Sequence, residues 1–172
     1  MEKVFLNKTY GYKNFITENQ RNILLDWVNN NFGTFKINPS GPHRRNRKIN
    51  NEDSIYGLVN EIKNKIIRVE NIEDWEEEPN YGDYIGINSK GGFIHVHQDP
   101  NKGNSVHTRW NLILSYPEIG GHSIYDGTIN ILEENMIWKC VAGKFAHGST
   151  VVEGEKKRVT LSLGFLIKQS IS

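Results

Sequence analysis

The run from Gly91 to Pro100 reads Gly-Gly-Phe-Ile-His-Val-His-Gln-Asp-Pro and gathers three metal-competent side chains within five positions. In an extended strand alternate side chains share a face, so Phe93, His95, His97 and Asp99 are expected to point one way. Ile94 and Val96 should then point the other way, into an apolar layer between a sheet and its helices. Imidazole and carboxylate groups are costly to bury unless a partner satisfies them. A cation would do so, held by His97 and Asp99 from neighbouring corners of an octahedron.

A third ligand should come from another strand on the same inner face. Phe145-Ala146-His147-Gly148-Ser149 offers His147, expected at the end of the strand through Cys140. Two histidines and one carboxylate form a facial triad that leaves three positions open, the arrangement associated with non-haem iron(II) oxygenases. Further on, Arg158, Thr160, Ser162 and Gly164 alternate with Val159, Leu161, Leu163 and Phe165. An arginine among hydroxyls on an interior face calls for a carboxylate, which a guanidinium grips in bidentate fashion. A dicarboxylate bound to iron through a 2-oxo acid end would present such a group. Arg109 shares a face with Asn111 and is a rival for this clamp. Both, with His95, are candidates for a substrate pocket.

The elements that must position these groups divide the chain in two. Before Tyr81 the signals are helical. Thr17 with Gln20 reads as a capping box, and Ile23, Leu24, Trp27 and Val28 follow at helical spacing, with Gly33 as the stop. A second helix should begin near residues 51–54, with Ile55, Leu58, Val59, Ile62, Ile66 and Ile67 on its apolar face. The basic segment Arg44–Lys48 between them reads as a solvated surface loop, the sharper alternative being a rim that recruits an acidic substrate or a phosphate backbone. The acidic surroundings of Trp75 read as a surface turn, and His43, His107 and His122 as solvated loop histidines. From residue 81 the period changes to two, and strands are expected at 84–87, 93–97, 110–116, 129–132, 137–141, 150–152 and 158–167. Strands without intervening helices pair antiparallel. The expectation is one mainly β domain over 1–172, with helical support over 1–80 and a jelly-roll core over 81–167.

In this order and phase the pieces resemble the iron(II)/2-oxoglutarate-dependent dioxygenase superfamily. The resemblance rests on His97-Gln98-Asp99, then His147, then Arg158 with Thr160 and Ser162, and covers about half the chain. Leu114-Ser115-Tyr116-Pro117-Glu118-Ile119-Gly120-Gly121 also looks like the strand and Gly-Gly turn of prolyl-hydroxylase-like members. It implies a double-stranded β-helix (jelly roll) with two or so amino-terminal helices packed on one sheet. It implies iron(II) on His97, Asp99 and His147, and 2-oxoglutarate on Arg158, helped by Thr160 or Ser162 and by Tyr84 or Asn88. The implied chemistry consumes O2, decarboxylates 2-oxoglutarate to succinate and hydroxylates a C–H bond. The implied partner is a protein or peptide side chain, with a small metabolite close behind and nucleic acid last, favoured only by the basic segment at Arg44.

Composition sets outer bounds. With 172 residues, 37% hydrophobic and 24% charged, the chain can form one ordinary globular domain. A formal charge of +1 gives no global field for nucleic acid or an anionic membrane. No apolar run reaches the roughly 20 residues of a membrane helix, and none of the early residues form a secretory leader. The lone Cys140 cannot form an internal disulfide, so a reducing, cytoplasmic address is expected. The alternatives are a cupin-like site built on His95 and His97, which lacks the usual following glutamate, and a non-enzymatic jelly-roll binding protein.

Overall fold

The computed structural model describes residues 1–168; the last four positions of the expected 1–172 domain lie outside the described residues. In chain order the elements are β1 (Glu2–Leu6), β2 (Thr9–Lys13), α1 (Glu18–Asn30), β3 (Lys36–Ile37), β4 (Arg44–Lys48), α2 (Tyr56–Glu70), β5 (Trp75–Glu77), β6 (Tyr84–Asn88) and β7 (Ile94–His97). They continue with β8 (Ser105–Ser115), β9 (Ser123–Tyr125), β10 (Thr128–Asn130), β11 (Ile137–Cys140), β12 (His147–Ser149) and β13 (Arg158–Lys168). A large sheet runs β1-β2-β11-β8-β13-β6-β4-β3, with β5 added beside β13, and a small one runs β10-β9-β12-β7. Every pairing is antiparallel. Two antiparallel sheets with two helices on the larger one form the expected jelly roll.

Helix α1 starts where the sequence marks it but ends at Asn30, ahead of the expected stop at Gly33. Helix α2 starts at Tyr56, after the expected 51–54. The Thr17 hydroxyl accepts the Gln20 backbone N–H at 3.2 Å and the Gln20 side chain accepts the Thr17 N–H at 2.9 Å, closing the capping box. Asn71, in the left-handed region at φ 50°, ends α2. Both helices press Leu24, Trp27, Val28, Val59, Ile62 and Ile66 onto the outer face of the large sheet. Opposing them are Ile85 and Ile87 of β6, Trp110, Leu112 and Leu114 of β8, and Leu161, Leu163 and Phe165 of β13. The residues alternating with these on the same strands therefore face the small sheet, and the functional groups lie there. No helix among the described residues is long and apolar enough to cross a membrane.

Residues 1–80 are not only helical support, because they also supply five strands, β1 to β5. The basic segment Arg44–Lys48 is itself one of them, paired along its length with β6. Arg45 and Arg47 face the helices: Arg47 salt-bridges Asp53 at 2.5 Å and lies 4.5 Å from the Trp27 ring centroid. Arg44 faces inward and is 7% exposed. No apolar side chain in Arg-Arg-Asn-Arg-Lys carries the period-two signal, so the strand reads as a loop. Trp75 likewise belongs to a strand, with its ring 5.1 Å from that of Phe165. The strand expected at 150–152 is instead β12 at His147–Ser149, and His147 opens that strand instead of extending the one through Cys140.

Candidate metal centre and its cavity

His97 ends β7, Asp99 follows two residues later, and His147 opens β12; His97 and His147 are direct cross-strand partners. Their rings lie 4.4 Å apart, centroid to centroid. Asp99 places Oδ1 3.4 Å from His97 Nε2 and Oδ2 3.8 Å from His147 Nε2. One ligand atom from each of the three lies within 4.8 Å of the others. The ring tautomers follow from the backbone. His97 Nδ1 is 2.7 Å from the His95 carbonyl oxygen, and His147 Nδ1 is 3.2 Å from that of Phe145. A carbonyl only accepts, so each Nδ1 carries the hydrogen and each Nε2 offers a lone pair, the form that binds a metal.

The electrostatics agree. Burial pushes the His147 pKa down to about 4, so its ring is neutral at neutral pH. Burial alone would raise the Asp99 carboxyl, but His97, His147, His107 and Arg109 together hold it at about 2. His97 is shifted upward, chiefly by its contact with the Asp99 carboxylate. An anionic carboxylate facing two imidazole lone pairs is a donor set for a divalent cation.

His95 is out of place for this site. Ile94 pairs with Ser149 and His97 with His147, so three steps along β7 match two along β12. The extra residue is a β-bulge, which reverses the face of everything before it. Ile94 therefore lines the cavity with His97, while His95 is exposed and packs its ring against Phe93 at 4.8 Å. Val96 is 56% exposed, not part of an apolar layer. A chelating pair of His95 and His97, as a cupin-like site needs, is not formed. Gly148 sits opposite the bulge, and a Cβ there would meet the Ile94 oxygen at 2.7 Å.

The three candidate ligands open onto a cavity of about 410 Å3 between the sheets. Tyr84 and Asn88 of β6, Arg109 and Asn111 of β8, and Arg158, Thr160 and Ser162 of β13 all line it, as their strand phases require. The two rival arginines differ sharply. Arg109 Nη2 donates to Glu78 Oε2 at 2.8 Å, and both side chains are at most 5% exposed. Glu78 also accepts the backbone N–H groups of Asn80, Tyr81 and Gly82 at 2.9, 2.7 and 3.0 Å. Arg109 is thus already paired, with its Nε 3.9 Å from Asp99. Arg158 is 5% exposed, donates from Nη2 to Ser123 Oγ at 2.9 Å, and has no carboxylate partner among the described residues. Burial lowers its pKa to about 10, so it remains charged.

Arg44 of β4 joins the same wall, on a strand where the sequence reads as a surface loop. Arg44 and Arg158 are both cross-strand partners of Asn88, from its two sides. Arg44 Nε, Arg158 Nε, Asn88 Nδ2 and Thr160 Oγ1 are buried with no hydrogen-bond partner among the described protein atoms. Four orphaned groups able to donate, gathered in one cavity where Asp99 is the only lining carboxylate among the described residues, fit an anionic, acceptor-rich ligand. His107 was also misjudged as solvated. It lies on β8, 3% exposed, with Nδ1 3.3 Å from Asp99 Oδ2. His122 is half-buried against the Tyr116 hydroxyl at 2.7 Å.

No family model matches the sequence. No curated protein matches it either. Solved structures do match in fold. The viral collagen prolyl hydroxylase of Paramecium bursaria Chlorella virus-1, in complex with 2-oxoglutarate, superposes with a TM-score of 0.70 at 12% identity, covering 91% of this chain and 95% of that one. HygX from Streptomyces hygroscopicus, with nickel and 2-oxoglutarate bound, gives 0.70 at 7% identity over 92% of this chain and 82% of that one. HygX also matches in a form with hygromycin B bound. A Trichoplax adhaerens prolyl hydroxylase in complex with a hypoxia inducible factor peptide fragment gives 0.67 at 11% identity, over 91% and 82%. The chain has the jelly-roll fold of these prolyl hydroxylases and of HygX.

Proposed function

We propose that this protein is an iron(II)- and 2-oxoglutarate-dependent dioxygenase acting on a C–H bond of a protein or peptide side chain or of a small metabolite. The observation that carries the reading is one cavity holding both the His97–Asp99–His147 donor set and the guanidinium of Arg158, which has no carboxylate partner among the described residues. His97 and His147 would ligate through Nε2 and Asp99 through its carboxylate. Arg158 would take the far carboxylate of the co-substrate, with Thr160 Oγ1 and Asn88 Nδ2 as further donors. Bound iron and co-substrate would supply O2 activation, with 2-oxoglutarate, O2 and R–H giving succinate, CO2 and R–OH.

The chain's own residues bind, orient and exclude water. The His95 and Phe145 carbonyls hold the two imidazoles in the metal-binding tautomer. His107 and Arg109 flank the Asp99 carboxylate and keep it ionised. The preformed cavity would hold the co-substrate beside the metal ligands. Support for both substrate classes comes from the fold relatives, one seen with a peptide and one with hygromycin B.

The test is succinate formation from 2-oxoglutarate under air, with and without iron(II). The reading expects product only when both are present. A protein that binds metal but neither binds nor decarboxylates 2-oxoglutarate would be a jelly-roll binding protein instead.

A further inference from the structure

The cavity holds more positive charge than one co-substrate can answer. Arg109 is neutralised by Glu78, and Asp99 is the only carboxylate on the lining among the described residues. A divalent metal and the guanidiniums of Arg44 and Arg158 bring four positive charges. Asp99 and dianionic 2-oxoglutarate bring three negative ones. One buried guanidinium would therefore stay unanswered when metal and co-substrate are in place, an arrangement that is costly if nothing fills it.

Location decides which guanidinium that is. Arg158 lies on the central strand β13, in line with Thr160 and Ser162. Arg44 lies on β4, beside the short edge strand β3, whose Lys36 and Ile37 line the cavity and are open to solvent, Ile37 at 74%. A second ligand entering from that side meets Arg44 first. The Arg44 side chain is also held in place for such a role. Its Nη1 donates to Ser40 Oγ, Ser40 Oγ donates to Asn38 Oδ1 at 2.6 Å, and the Ser40 carbonyl accepts the His95 N–H at 3.0 Å. The loop that precedes Arg44 is thus tied directly to the strand that carries His97.

We infer that the primary substrate is an anion bearing a carboxylate, gripped by Arg44 against the β3–β4 wall. This rests on the proposed dioxygenase reading and sharpens it to a substrate class. A guanidinium pairs with a carboxylate through two parallel N–H···O bonds that an uncharged amide cannot accept in the same way.

The experiment uses the full chain loaded anaerobically with iron(II) and 2-oxoglutarate. Calorimetry measures the Kd of 2-oxoglutarate first, then of N-acetyl-L-leucine, N-acetyl-L-aspartate and N-acetyl-L-leucinamide added to the loaded protein. The expected result is measurable binding of the two acids and at least about tenfold weaker binding of the amide. Arg44→Gln should cost the acids at least ten times more affinity than it costs 2-oxoglutarate. Arg158→Gln should do the reverse, and Arg44→Lys should restore part of the acid binding. Equal affinity for acid and amide, no binding of either acid, or a larger loss for 2-oxoglutarate than for the acids in Arg44→Gln would overturn the inference. The last outcome would make Arg44 a second clamp on the co-substrate. Failure of wild-type protein to bind 2-oxoglutarate with metal would instead sink the dioxygenase reading, so the two failures are told apart.

Discussion

Ile94 and His97, three positions apart on one strand, line the same cavity. A regular strand would turn them to opposite faces, and only the bulge against β12 brings them together. Gly148 makes room for that bulge. A Gly148→Ala side chain would meet the Ile94 oxygen at 2.7 Å and the Val96 Cα at 3.1 Å, both backbone atoms with little freedom to yield. The expected outcome is a stability loss of about 1–3 kcal/mol, with weaker metal binding because His97 moves with β7. Urea unfolding together with Mn(II) titration checks both.

Removing a candidate ligand should act on metal alone. Asp99→Ala and His147→Ala are each expected to weaken divalent metal binding by about a hundredfold or more, beyond the effect typical of residues that only orient ligands. Retained micromolar Co(II) binding, read from its visible spectrum, would remove those residues from the site.

The two arginines of the cavity should respond with opposite signs. Arg109→Ala strands the Glu78 carboxylate, 3% exposed, and should cost about 3–5 kcal/mol of stability. Arg158→Ala removes a buried charge that has no carboxylate partner, so the unliganded protein should be no less stable, while 2-oxoglutarate affinity falls about ten- to hundredfold. Thermal melting with and without 2-oxoglutarate separates the cases.

Glu78 makes stability depend on pH. Burial alone would raise its pKa, but the N–H groups of Asn80 and Tyr81 and the charge of Arg109 outweigh it and hold the carboxyl below its usual value of 4.5. A carboxyl depressed in the folded state contributes fully above its unfolded pKa and loses that contribution as pH falls through the folded one. The urea midpoint should therefore drop as pH is lowered below about 4.5. Glu78→Gln should flatten that dependence while lowering stability at pH 7.

Much of the architecture is written in the order of residues. Arg158–Phe165 alternates strictly, so which of its side chains face the helices and which face the cavity follows from strand geometry. Tyr84 to Asn88 and Arg109 to Ile113 obey the same rule. Thr17 with Gln20 marks the start of α1 in local chemistry alone, because both partners lie within one turn. His97, Asp99, His147 and Arg158 are recognisable because each carries a group that an interior face must satisfy.

Tertiary structure decided the rest. The bulge that excludes His95 depends on how β7 pairs with β12, some fifty residues away in sequence. Arg44 becomes a cavity residue only because β4 pairs with β6, and its neighbours carry no hydrophobic rhythm to announce a strand. Whether Arg109 or Arg158 is free was settled by Glu78, a residue in an acidic stretch that folding buries beside one of them. Local sequence sets which face a side chain takes within its own strand. The partner it finds there is set by strands that meet only when the sheet closes.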